Sequence, residues 1–185
     1  MEESTVLFNG RWLRLRARGG WEYAERTNPG GASIIVAATP DGQTLMVEQY
    51  RKPIQQRTLE FPAGLIGDSA EFEGEAALDS ARRELLEETG WHAARMEALM
   101  GGPSYAGMST EVMHFVRASQ LTRQHAGGGL EGENITVHLV PIAHVAQFVL
   151  AAMQRGFAID PKVYAGIWFL SHQIDGTPLP DGWYR

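Results

Sequence analysis

One segment constrains this chain more than any other. From Glu75 to Thr89, the apolar residues Leu78, Ala81 and Leu85 recur at i, i+3 and i+7. That is the spacing of a helix with one buried face. Gly90 follows at once, well placed as the left-handed residue that stops a helix. Glu84, Glu87 and Glu88 stand at i, i+3 and i+4, so a helix gathers them on one side. Like charges so placed repel by roughly a few tenths of a kcal/mol per pair in water. Carboxylate oxygens are also the ligands that Mg²⁺ prefers, together with water and phosphate. The pattern therefore has two readings: a solvated acidic face, or a cation site at the edge of the core.

Around this helix the chain alternates between strand and turn signals. Val6–Arg18 and Trp21–Arg26 read as two strands about Gly19-Gly20, followed by a loop at Asn28-Pro29-Gly30-Gly31. Ser33–Ala38, Leu45–Tyr50 and Thr58–Phe61 read as further strands, and Pro62–Gly74 as a loop. Beyond the helix, Ala93–Met100 and Glu111–Arg117 are strand-like, with a loop Gly101–Gly107 between them. A glycine-rich loop, His125–Glu133, leads to a strand Ile135–Val140. Two helices close the chain, Ala143–Arg155 and Pro161–His172. This order predicts a mixed α/β domain of the α+β kind rather than a repeating βαβ array.

Composition removes several function classes. The 185 residues suit one domain and include no cysteine, so disulfides and thiolate metal sites are excluded. The net charge of −6 and the lack of a long basic block argue against sequence-independent binding to nucleic acid. No apolar run approaches the ~20 residues that span a bilayer, so no membrane partner is expected. The acidic start Met1-Glu2-Glu3-Ser4 is the reverse of a secretory leader. With the missing cysteines, it fits a cytoplasmic protein. An acidic protein that handles an anion needs a local correction, a divalent cation or a few arginines.

The residues around the glutamates decide between their two readings. Arg83-Glu84-Leu85-Leu86-Glu87-Glu88-Thr89-Gly90-Trp91 resembles the second half of the Nudix box at every constrained position. Glu75 stands eight positions before Arg83, as the earlier glutamate of the box does. The glycine expected six positions before Glu75 is Ser69; Gly64, eleven before it, is the counterpart, which implies an insertion of five residues within Gly67–Gly74. Glu60–Ile66 resembles the approach to the box in ADP-ribose pyrophosphatases, and the likeness runs roughly from Trp12 to Phe169.

The resemblance implies the Nudix fold, a mixed β-sheet sandwiched between helices, here with an N-terminal antiparallel strand extension. Residues 1–30 would form that extension, a dimerisation element, and residues 31–185 the Nudix domain. It further implies Mg²⁺, or Mn²⁺ in its place, held by Glu84, Glu87, Glu88 and the backbone carbonyl of Ala63. Water would attack a diphosphate phosphorus, with Arg83 among the catalytic residues. A nucleotide sugar would be the substrate, ADP-ribose first. GDP-mannose, another nucleoside diphosphate sugar or a dinucleoside polyphosphate is the alternative. A nucleotide sensor that binds without cutting is a rival that the intact glutamates disfavour.

Substrate residues come from the same resemblance. Val47-Glu48-Gln49-Tyr50-Arg51 is similar to the strand before the box in nucleotide-sugar enzymes, where an arginine suits a phosphate. Trp21 and Glu22 lie in a strand similar to the one that places an aromatic on the adenine, sometimes across a homodimer; the bland reading is a core or interface tryptophan. For the general base, the acidic loop before Ile135–Val140 offers Glu131 or Glu133, the latter nearer the strand, with Glu87 next. Its three glycines would let it swing over the substrate. Where the ADP-ribose subgroup carries a proline some fifteen residues after the box, this chain has Ala106, which weakens ADP-ribose specifically. His125, His138, His144 and His172 form no metal-spaced pair.

Overall fold

The computed structural model describes residues 2–27, 30–130 and 132–185. Three short strands come first: β1 (Thr5–Asn9), β2 (Leu13–Arg18) and β3 (Trp21–Arg26), an antiparallel sheet of their own. The single strand expected over Val6–Arg18 is thus two. The Gly10 N–H bonds to the Leu13 carbonyl at 2.9 Å and turns the chain back on itself. Of the expected loop after β3, Asn28 and Pro29 lie outside the described residues.

Two mixed four-stranded sheets make the body. One has the order β7 (Ala63–Leu65), β4 (Ala32–Ala37), β9 (Val112–Arg123), β8 (Trp91–Pro103); β4 and β9 are its parallel pair. The other runs β10 (Thr136–Pro141), β5 (Gln43–Arg51), β6 (Gln56–Glu60), β11 (Ala158–Ile159), with β6 and β11 parallel. The segment Pro62–Gly74 is no plain loop: it supplies β7 and a single 3₁₀ turn, Ala70–Phe72. Gly101–Pro103 continues β8 rather than opening a loop.

Strand β4 shows how the sheets sit between helices. Its side chains alternate, as in any strand, and both faces are buried. Ile35 and Ala37 pack with Ala81 and Leu85 of α1 (Ala77–Thr89) and with Leu45 and Val116. Ile34 and Val36 join Phe61, Phe115 and residues of α2 (Val145–Gln154) and α3 (Lys162–Phe169), among them Val149, Val163 and Phe169. The helix is held where the periodicity placed it: Ala81 and Leu85 are fully buried, and truncating a leucine in such a place costs about 2–5 kcal/mol. Gly90 ends α1 at φ 76°, its N–H on the Leu86 carbonyl at 2.8 Å. A Cβ there would also stand 2.2 Å from the His125 carbonyl oxygen, so the fold asks for glycine twice over.

The N-terminal sheet meets the body through β3. The Ala24 N–H bonds to the Met108 carbonyl at 2.8 Å, Thr110 bonds back to Ala24 at 3.2 Å, and Arg26 pairs with Glu111. None of the helices among the described residues is long and apolar enough to cross a membrane.

Candidate functional site

The carboxylates of α1 are organised by one arginine. Arg83 Nη1 donates to Glu84 Oε1 at 2.9 Å and to Glu87 Oε2 at 3.2 Å, while its other edge meets Glu75 at 3.2 and 3.3 Å. Nη2 also donates to the Leu65 carbonyl at 3.3 Å and lies 3.7 Å from Asp68. The Phe72 ring covers the guanidinium, 4.3 Å from its central carbon. Asp68 and Phe72 belong to the segment that the spacing marked as an insertion. That segment closes over Arg83 and helps to hold it. Burial opposes the arginine's charge, yet Glu75, Glu84 and Glu87 together raise its pKa above the ordinary arginine value.

Glu84 and Glu88 face inward, 9% and 5% exposed, whereas Glu87 is half-buried. Glu88 Oε2 accepts the Ala63 N–H at 3.0 Å. Gly64 packs on Glu84 so closely that a Cβ would come within 1.8 Å of the glutamate's carboxyl carbon. The counterpart assigned to the displaced glycine is therefore a position where a side chain fits only if Glu84 moves. Burial pushes the Glu84 carboxyl up to about 7, with Arg83 opposing it in part. Burial also drives Glu88 well above the usual carboxylate range, against the Ala63 N–H and Arg51 and with the help of Glu84 and Glu133.

Two desolvated carboxylates with so little compensation are a natural seat for a cation, and an all-oxygen donor set suits Mg²⁺ or Mn²⁺. Among the described residues, no three His, Asp or Glu side chains already converge as a metal-binding group. Arg83 Nη1 bonds to both Glu84 and Glu87 and so puts a positive charge between them. The residues fit a divalent cation in kind, with Arg83 as the built-in competitor.

Beside these carboxylates lies a cleft of about 690 Å³. Ala63, Gly64 and Leu65 form one wall; Ile34, Ile54, Met113 and Ile159 give it apolar surface. Three cations line it, each paired with a carboxylate: Arg26 with Glu111, Arg51 with Glu60, Lys162 with Asp160. The Arg51 pair is bidentate, at 2.7 and 2.8 Å, and Thr58 adds a third bond to Glu60 at 2.6 Å. Glu60, ahead of burial, raises the Arg51 pKa, and the charges of Glu88 and Asp160 add to it.

Of the expected residues, Arg51 and Ala63 line this cleft; Arg83, Glu84, Glu87 and Glu88 are not among its lining residues. Trp21 and Glu22 lie exposed on β3, and Trp21 lines a separate hollow of about 400 Å³ with Arg18, Tyr23 and Ala106. Glu131 lies outside the described residues. Glu133 is exposed, and its carboxylate turns back to accept the Leu130 N–H at 2.7 Å, although its charge is felt at Glu88. The glycines before it make close approaches to the carboxylate helix. Gly128 and Gly129 donate to the Glu88 and Glu87 carbonyls at 2.8 and 3.2 Å, and a Cβ on Gly127 would meet the Thr89 backbone at 2.4 Å. The loop is thereby laced to the end of the carboxylate helix. Sequence reading missed Arg26, Glu60, Glu111, Asp160 and Lys162 as cleft residues. Only Glu60 carried a signal, its place in the run Glu60–Ile66.

Known proteins bear on this geometry. The family model described as the NUDIX domain matches residues 27–161. A methanol dehydrogenase activator from Bacillus methanolicus is 32% identical over 140 residues, 70% of this chain and 73% of its own. An ADP-ribose pyrophosphatase from Bacillus subtilis is 34% identical over 134 residues, 66% and 69% of the two chains. Among solved structures, an ADP compounds hydrolase superposes with a TM-score of 0.68 at 20% identity, over 91% of this chain and 89% of that one, which shows the shared fold.

Proposed function

The chain belongs to the Nudix hydrolase family, whose members act on pyrophosphate bonds, and on that premise we propose that it cleaves the diphosphate of a nucleoside diphosphate sugar with the help of Mg²⁺. ADP-ribose is the favoured substrate, giving AMP and ribose 5-phosphate. The observation that carries this reading is the adjacency of two buried, only partly compensated carboxylates, Glu84 and Glu88, to a cleft lined by Arg26, Arg51 and Lys162. Such a site pairs a seat for a divalent cation with groups for an anionic ligand.

In this reading Glu84, Glu87, Glu88 and the Ala63 backbone carbonyl would hold Mg²⁺, or Mn²⁺ in its place, which would supply charge neutralisation at the diphosphate and make water more acidic. Arg83 fixes the carboxylates that surround it. Arg51 orients a phosphate oxygen through hydrogen bonds of the guanidinium. Water adds to one phosphorus, the bridging oxygen leaves with the other phosphate, and the proton of the water passes to Glu133 or Glu131, with Glu87 next in line. A base so placed contributes about 10²–10⁴-fold.

Support for a homodimer comes from the N-terminal sheet. Phe8, Trp12 and Trp21 are each more than 60% exposed, and Val6, Leu7 and Leu13 lie beside them in the same sheet, also exposed. A second copy would cover them and would bring its Trp21 and Glu22 to a nucleobase that a single chain does not reach. A cytoplasmic location accords with the absence of cysteine. Ala106, in place of the subgroup's proline, keeps GDP-mannose and dinucleoside polyphosphates as the second reading. The test is a panel of these compounds with Mg²⁺, with Mn²⁺ and with excess chelator. ADP-ribose should be cut fastest, with turnover lost in chelator. Full turnover without metal, or binding with no product, overturns the proposal.

A further inference from the structure

Strand β11 is only two residues long, yet it decides what faces the cleft. It runs parallel to β6, with Ala158 opposite Thr58 and Ile159 opposite Leu59. The next residues of the chain, Asp160 and Lys162, are thereby carried to the same cleft that Thr58, Glu60 and Arg51 line. Asp160 Oδ1 accepts the Lys162 backbone N–H at 2.9 Å, and its other oxygen takes the Lys162 ammonium. The turn is fixed by its own carboxylate.

The three cations of the cleft are not equally available. Arg51 is gripped by both oxygens of Glu60, which Thr58 fixes in turn. Arg26 is tied to Glu111 across the junction with the N-terminal sheet. Among the described residues Lys162, like Arg26, has one side-chain partner, but that partner, Asp160, lies two positions away on the same turn. The ammonium has three donors on a flexible four-carbon stem, so Lys162 can be redirected without parting the N-terminal sheet from the body. Arg51 is within electrostatic reach of Glu60, of Glu88 and of Asp160. It thus links the carboxylate helix to the Asp160–Lys162 turn. Two cationic positions in succession match the two phosphates of a diphosphate, and apolar walls strengthen both.

We propose that Lys162 is a substrate contact: its ammonium binds the phosphate farther from Glu84 and Glu88, and so sets a preference for diphosphates over monophosphates. Asp160 holds the ammonium at the cleft while it is empty. This rests on the nucleoside diphosphate reading above, and gives it a residue that no box motif contains.

The experiment measures ADP and AMP binding by calorimetry with the full chain in excess chelator, so that neither metal nor turnover enters. The wild-type protein should bind ADP more tightly than AMP. Lys162→Ala should lose about tenfold or more in ADP affinity, the size expected for a charge-assisted contact, with AMP affinity changed less than about twofold. Lys162→Arg, which keeps the charge, should recover most of the loss. An unchanged ADP-to-AMP ratio in Lys162→Ala overturns the assignment, as does a wild-type protein without the preference. If the substrate panel shows no turnover while the ratio behaves as described, the enzymatic reading falls and the phosphate contact stands. In steady state, Lys162→Ala should raise KM with little change in kcat, since the contact binds ground and transition states alike.

Discussion

A Cβ on Gly64 would stand 1.8 Å from the carboxyl carbon of Glu84. The two residues are twenty apart in sequence, one on the short strand β7 and one on the carboxylate helix, and they pack as a single unit.

Gly64→Ala should therefore act on the site more than on the fold. The added methyl forces Glu84 aside, and a displacement of about 1 Å in a catalytic group costs around 100-fold. We expect kcat to fall by that order while thermal unfolding shifts only slightly. An active Gly64→Ala enzyme means that Glu84 tolerates displacement.

Glu88→Gln keeps an oxygen to accept the Ala63 N–H and removes a buried charge. In chelator its melting temperature should match or exceed that of the wild type. With Mg²⁺, kcat should drop by about 100-fold or more, because a neutral amide is a poor ligand for a hard cation. Near-normal kcat at saturating Mg²⁺ rules out a ligand role.

Trp21→Ala tests the base and the dimer together. Stacking on an aromatic is worth about 1–3 kcal/mol, so KM should rise tenfold or more with a smaller change in kcat. Sedimentation under the same conditions reads the oligomeric state. Unchanged KM with unchanged oligomeric state makes Trp21 structural.

For the proton acceptor, Glu131→Gln and Glu133→Gln are compared for kcat and Mg²⁺ affinity. One variant should lose at least about 10²-fold in kcat with nearly unchanged metal binding. Two variants of wild-type activity leave the role to Glu87.

Glu48 gives a pH signature away from the site. Partial burial pushes its carboxyl upward, but hydrogen bonds with His138 and Arg57, and the charges of both, outweigh this and hold it below the usual value of 4.5. A carboxyl depressed in the folded state stabilises it above its unfolded pKa, and that contribution disappears as pH falls through the folded one. Glu48→Gln should cost about 1 kcal/mol at neutral pH, measured by denaturant unfolding, and the difference should close as the pH drops below 4.5. A gap that persists in acid refutes the ionic origin.

The sequence by itself determined what is local. The i, i+3, i+7 spacing of Leu78, Ala81 and Leu85 and the stop at Gly90 follow from helix geometry within a dozen residues, and the fold keeps them; it also keeps Glu84, Glu87 and Glu88 on that helix. Gly64 was legible as a displaced glycine, because the box fixes what must precede its helix. Only the tertiary structure decided the rest, since those features depend on residues distant in sequence. No periodicity announces that Phe72 and Asp68 close over Arg83, or that Gly10 splits the first strand. Nor does the sequence show that glycines 127 to 129 pack against Glu87, Glu88 and Thr89. Asp160 and Lys162 carry no motif, and they face the cleft because two residues of β11 pair with β6, a hundred positions earlier in the chain. A backbone pairing of that kind constrains hydrogen bonds rather than side-chain identity, which is why it leaves so little trace in the sequence.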